Sequence, residues 1–164
     1  MSSILESITS YLPQHEGILP KWMFLISLVA LGNSIQSYLT ISYTARLYAG
    51  PKPPTPILSK SSTGTSSTST SKTPSNSPAT PLQSRTFGTW TLIQSLVRIY
   101  AAYNISNPQF YELAFLTYVV AWGHFMSEWW VFGTARWGEG LVFPVCVASG
   151  SLVWMWCQWG FYVQ

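Results

Sequence analysis

The chain has 164 residues and a formal net charge of +3, a length that suits one domain. Only 8% of its residues are charged, while 48% are hydrophobic and 16% aromatic. That excludes an ordinary soluble domain, where charged residues approach a quarter, and the few scattered basic residues exclude a nucleic-acid surface.

In chain order, residues 1–19 are mixed and weakly amphipathic, with Ile4, Leu5, Ile8 and Leu12. They lack the basic start and small-residue cleavage site of a signal peptide and read as a frayed or interfacial helix. Residues 20–164 read as a four-span membrane domain. Pro20-Lys21-Trp22 opens its first span, expected over residues 22–43, with Pro in the first turn and Lys and Trp at headgroup depth. The polar residues of this span are Asn33, Ser34, Gln36 and Ser37, with Gly32 beside them. Amide hydrogen bonds between helices are the favoured reading over a substrate site, with Gly32 admitting a neighbouring backbone.

After Arg46 the composition changes. Residues 51–84 are nearly all Ser, Thr, Pro and Lys, cannot bury enough apolar area to offset their ordering entropy, and read as a disordered loop. Thr73-Pro74, Ser77-Pro78 and Thr80-Pro81 are phosphorylation-type pairs, which any such tract contains.

A helical hairpin follows, with arms at 86–104 and 110–132 joined by a short turn containing Asn107-Pro108. Each arm is about 20 residues, enough for a hydrocarbon core of roughly 30 Å. Arg98 on the first arm, and Glu112, His124 and Glu128 on the second, are charges or polar groups that cost about 3 kcal/mol or more each at mid-membrane. Folding the hairpin near residue 107 sets Arg98 level with residues 114–116, so an Arg98–Glu112 ion pair inside the bundle is expected. Glu128 is expected to reach Arg85, Arg136 or a partner. His124 and Glu128, four apart, share a face. The favoured reading is a structural or partner-facing polar patch, rather than a metal site or catalytic dyad, because no further ligand set or nucleophile accompanies them.

Residues 141–163 form the fourth expected span, with Pro144 in its first turn, a small-residue face at Ala148, Ser149, Gly150 and Ser151, and Trp154, Trp156, Trp159 and Tyr162 as an interfacial anchor. Cys146 and Cys157 are 11 apart, about 16 Å along a helix, too far to bridge, and are expected as buried free thiols. Four spans put both termini on one side. Arg46, Lys52, Lys60, Lys72, Arg85 and Arg136 lie on the other, against Lys21 alone, so the positive-inside rule places the two charged loops in the cytosol. The sequon Asn104-Ile105-Ser106 would then lie opposite the cytosol, too near the membrane for use.

The chain contains no G-x-G-x-x-G before a helix, no P-loop, no G-x-S-x-G and no H-E-x-x-H, and two histidines cannot furnish a membrane di-iron site. An all-α integral membrane four-helix bundle, without catalytic residues, cofactor or metal, is the reading these residues support.

At Leu19-Pro20-Lys21-Trp22, Asn33-Ser34-Ile35-Gln36-Ser37-Tyr38 and Ser84-Arg85-Thr86-Phe87-Gly88-Thr89-Trp90-Thr91 the chain resembles the ergosterol biosynthetic protein 28 family. The resemblance continues through Arg98 and Tyr100, Tyr111-Glu112-Leu113, His124-Phe125 with Glu128, and Ser151-Leu152-Val153-Trp154-Met155. It omits about the first 18 residues and the Ser/Thr/Pro tract, which looks like an insertion relative to the family. The resemblance implies a non-catalytic, multi-span scaffold of the endoplasmic reticulum membrane acting in ergosterol biosynthesis. Its implied partners are the sterol C-4 methyl oxidase, the C-4 decarboxylase (a 3-hydroxysteroid dehydrogenase), the 3-keto sterol reductase and the sterol C-24 methyltransferase, together with membrane lipid and no nucleic acid. A homo-oligomer stays open. Trp122, Trp129, Trp130 and Trp137 offer lipid-depth docking surface for a scaffold that raises effective concentration. A sterol- or lipid-binding carrier, with Arg98, His124 and Glu128 lining a cavity, is the alternative, and a channel or transporter the least favoured, since four spans without repeats give little room for alternating access.

Overall fold

The computed structural model describes residues 9–50 and 77–163. Every regular element among them is helical: α1 (Leu19–Leu39), α2 (Ser42–Leu47), α3 (Pro81–Tyr103), α4 (Pro108–Trp130), α5 (Glu139–Cys157) and α6 (Trp159–Tyr162). The all-α expectation therefore holds for the described residues. Two helices, α1 and the Gly140–Cys157 part of α5, are long and apolar enough to cross a membrane. Helices α3 and α4 are longer, at 23 residues each, but are not apolar enough by the same measure. Residues 1–8 of the expected interfacial segment and 51–76 of the expected disordered loop lie outside the described residues.

Local chemistry sets the helix starts. Pro20, Pro81 and Pro108 each occupy the first turn, where a missing N–H costs nothing and φ is preset. The hydroxyl of Thr80 accepts from the Gln83 backbone N–H at 3.2 Å, and the Gln83 side-chain oxygen accepts from the Thr80 N–H at 3.3 Å. This reciprocal cap starts α3 at Pro81, so residues 81–84, expected in the loop, are helical. Asn107 ends the hairpin turn and caps α4, its Oδ1 accepting from the N–H groups of Gln109 (2.9 Å) and Phe110 (3.4 Å).

Two expected spans are shorter and interrupted. Helix α1 stops at Leu39, Thr40 is extended, and α2 turns the chain back. The last segment breaks at Gln158 before α6. Because α5 begins at Glu139, Pro144 lies inside it, beyond the first turn, and its missing N–H leaves the Gly140 carbonyl without its in-helix donor.

Helix α1 packs most extensively on α3, and α4 packs on both α3 and α5. Serine hydroxyls join the first pair: Ser34 Oγ donates to the Gly88 carbonyl at 2.7 Å, and Ser84 Oγ to the Ser37 carbonyl at 2.7 Å. Tyr38 and Thr89 close the outer edge through their hydroxyls. The close approach occurs at Gly88, where a Cβ would stand 2.9 Å from the Tyr38 ring and 3.1 Å from the Ser34 carbonyl oxygen. Gly32, expected to serve this role, faces open space. On α5 the buried face runs through Leu141, Val145, Ala148, Ser151 and Met155, at helical spacing. Ala148 and Ser151 thus pack as expected, while a Cβ on Gly150 would meet nothing. Cys146 and Cys157 fall off that face, so both thiols are free but exposed, not buried.

The core has two parts. Leu19, Met23, Ala101, Ile105, Tyr111 and Met155 fill the end near the hairpin turn, where the Tyr111 hydroxyl donates to the Met155 carbonyl at 2.7 Å and Trp22 Nε1 to Ser151 Oγ at 3.0 Å. Leu47, Tyr48, Phe87, Phe125 and Leu141 fill the opposite end.

Candidate functional site: two polar clusters

The first cluster centres on Arg98, which is 6% exposed. Its Nε donates to Thr117 Oγ1 at 2.9 Å, and its Nη2 to the Thr117 carbonyl at 3.1 Å and to Gln94 Oε1 at 3.0 Å. The guanidinium carbon stands 3.8 Å above the centroid of the Tyr118 ring, a cation–π geometry that strengthens when water is excluded. Thr117 donates its own proton to the Ala114 carbonyl at 2.6 Å, which leaves its oxygen lone pairs for Arg98.

The expected Arg98–Glu112 ion pair is not formed, and Glu112 is exposed. Thr117 lies five residues beyond Glu112, about 7.5 Å along the helix and about 140° around it. The face of α4 that meets Arg98 is therefore not the face that carries Glu112. Neutral dipoles and an aromatic face satisfy the guanidinium in place of a carboxylate.

The second cluster ties three segments together at the other end of the hairpin. The Tyr48 hydroxyl and His124 Nε2 are 2.7 Å apart, and the Trp90 ring lies edge-on to the imidazole at 5.1 Å between centroids. Burial, with the Glu128 carboxylate nearby and then Tyr43, holds the Tyr48 phenol above its ordinary value. A neutral imidazole carrying its proton on Nδ1, the nitrogen that faces Glu128, leaves Nε2 to accept from the Tyr48 hydroxyl. His124 Nδ1 and Glu128 Oε1 are 3.9 Å apart, beyond hydrogen-bond length. Thr134 donates its hydroxyl to Glu128 Oε2. Gly133, at φ +64°, makes the turn that returns Thr134 and Ala135 to Glu128, and the Ala135 N–H donates to the Glu128 carbonyl at 3.1 Å.

The sequence-predicted residues thus separate. His124 and Glu128 stand together, Arg98 stands apart with Gln94 and Thr117, and Arg85 is exposed and pairs with neither Glu128 nor another described carboxylate. Asn33 Nδ2 donates to the Tyr43 hydroxyl at 3.3 Å, joining α1 to α2. Gln36 is exposed, so the expected amide contact between long helices is made by serine hydroxyls instead. His124 and Glu128 are joined by no third His, Cys, Asp or Glu at metal-binding distance among the described residues. Sequence reasoning missed Tyr48, Thr117 and Thr134, three neutral residues with no periodic or charge signature. Gln94, four before Arg98, was readable as an i,i+4 partner.

These features define an all-helical protein, over the described residues, with two helices of membrane-crossing character and its buried polar groups used to join helices. The chain belongs to the Erg28-like family: the family model described as Erg28 like protein matches residues 19–153, a range that contains both clusters. It is 42% identical over 164 residues to ergosterol biosynthetic protein 28 of Candida albicans, with 100% of both chains covered. It is 36% identical over 148 residues to ergosterol biosynthetic protein 28 of Saccharomyces cerevisiae, covering 90% of this chain and 84% of the relative. The human ergosterol biosynthetic protein 28 homolog is 33% identical over 139 residues, covering 84% and 82%. No solved structure matches. The names of these relatives refer to ergosterol biosynthesis and to no reaction.

Proposed function

We propose that the protein is a non-catalytic scaffold of the endoplasmic reticulum membrane that holds enzymes of ergosterol biosynthesis together. In this reading α1, α3, α4 and α5 all cross the bilayer, and the C-4 methyl oxidase, C-4 decarboxylase, 3-keto reductase and C-24 methyltransferase dock on them. The polar groups of α3 and α4, which lower their hydropathy, are largely satisfied against neighbouring helices, as a bilayer requires.

The observation that carries the scaffold reading is the aromatic surface at one end of α4. Trp122, Trp129, Trp130 and Trp137 are 39%, 39%, 82% and 52% exposed, and the Trp129 and Trp137 rings contact each other at 5.1 Å between centroids. Tryptophan is the residue most enriched at binding hot spots, and a tether gains its effect by effective concentration alone. The test is mild-detergent affinity purification with mass spectrometry of wild type and Trp130→Ala/Trp137→Ala. Recovery of the four enzymes by wild type, with loss in the folded variant, is the expected result; their absence from both contradicts the scaffold.

The carrier alternative has less support. Of Arg98, His124 and Glu128, Arg98 lines a cavity of about 80 Å³, well below the roughly 300–1,000 Å³ of small-molecule sites.

A further inference from the structure

A larger cavity of about 500 Å³ lies between α1, α2 and the start of α5. Its walls combine Val29, Phe143 and Pro144 with Asn33 and Tyr43, and Arg46 and Arg136 stand at it as well. Both arginines are exposed, and neither pairs with a described carboxylate.

The backbone fixes where this cavity sits. A Cβ added at Gly140 would run into the Arg46 carbonyl, so the start of α5 is pressed against the end of α2. The Gly50 N–H donates to the Thr134 carbonyl at 2.9 Å, tying the segment that follows Arg46 to the one that precedes Arg136. The two guanidinium groups therefore stand at the same end of the two most apolar helices, which is headgroup depth if those helices cross a bilayer. The walls below them are apolar and continue toward the membrane interior through Val29 and Phe143, which the deeper cavity shares.

From this we infer that the cavity binds one anionic phospholipid drawn from the bilayer, its phosphate held between Arg46 and Arg136 and an acyl chain laid along Val29, Phe143 and Pro144. Guanidinium groups match phosphate oxygens in a bidentate fork. A sterol carries no anion to answer two arginines, and a zwitterionic lipid carries no net negative charge. The site rests on the membrane reading of α1 and α5 and not on enzyme tethering.

The test uses the full chain in mixed micelles holding equal amounts of phosphatidylserine and phosphatidylcholine, read by native mass spectrometry. Wild type should retain one phosphatidylserine in preference to phosphatidylcholine. Arg46→Gln/Arg136→Gln should lower that preference roughly thirty-fold, the equivalent of two arginine–anion contacts. Arg46→Lys/Arg136→Lys should keep part of it, and Val29→Trp should block occupancy with the arginines intact. Arg85→Gln, which removes a charge outside the cavity, should change nothing. Equal retention of the two lipids by wild type, undiminished preference in the Gln pair, or an equal fall in Arg85→Gln would each overturn the proposal. Loss of lipid preference with enzyme recovery unchanged would confirm the site and leave the scaffold standing; enzyme loss with lipid retained would leave the site standing alone.

Discussion

Arg98 illustrates how a buried charge is tolerated without a counter-charge. Its donors meet the Thr117 hydroxyl, the Thr117 carbonyl and Gln94, and its plane meets Tyr118. Hydrogen bonds to a charged group contribute about 1.5–3 kcal/mol, so Thr117→Val should lower stability in detergent by about that amount. Glu112→Gln, an exposed change, should stay within about 0.5 kcal/mol. A larger effect at Glu112 than at Thr117 would restore the ion pair that sequence alone suggests. The charge itself was legible; its partner was not, because a ring and a threonine carry no charge pattern to match. Tyr48 gives a pH prediction. Its folded phenol lies above the ordinary value of 10.0, chiefly through burial, so the folded state holds the proton more tightly than the unfolded chain. Stability from this group is intact below pH 10 and declines as pH rises past it. Thermal melts of Tyr48→Phe between pH 9 and 12 should fall less steeply than those of wild type, and parallel curves would contradict the assignment.

At the scale of elements, helix existence was readable from apolar length and proline position, and helix ends less so. The Thr80-Pro81 pair looks like loop chemistry in a Ser/Thr/Pro tract, yet Gln83 completes a cap and extends α3 by five residues relative to the expected start at 86. Thr80→Ala should therefore cost about 1 kcal/mol, read as a lower melting temperature. Close helix approach was also foreseeable in kind but not in place. Gly32 and Gly88 are equivalent in sequence terms, and only the rotation of α1 and α3 about their axes decides that Gly88 faces Ser34. Gly140 presses on backbone rather than on a side chain, so it has no soft neighbour to give way. Gly140→Ala should destabilise by about 1–3 kcal/mol through overpacking, whereas Gly32→Ala, facing open space, should be neutral or slightly stabilising through helix propensity. Equal melting temperatures for these two variants would contradict the packing of α5 on α2.

At the scale of the whole molecule, hydrophobic composition and the order of motifs pointed to the family to which the chain belongs, and residues 19–153 carry that match. What sequence could not supply was the division of labour among polar groups: His124 and Glu128 are drawn inward to Tyr48 and Thr134, while the tryptophans of the same helix end stay exposed. We propose that this aromatic surface, not the polar patch beside it, receives partner enzymes. This is tested most directly by placing a photo-crosslinking amino acid at Trp130, at Trp137 and, as a remote control, at Gly32, then identifying the adducts in native membranes. Adducts with sterol biosynthetic enzymes from positions 130 and 137, and lipid alone from position 32, are the expected result. Lipid adducts alone from all three positions would contradict it.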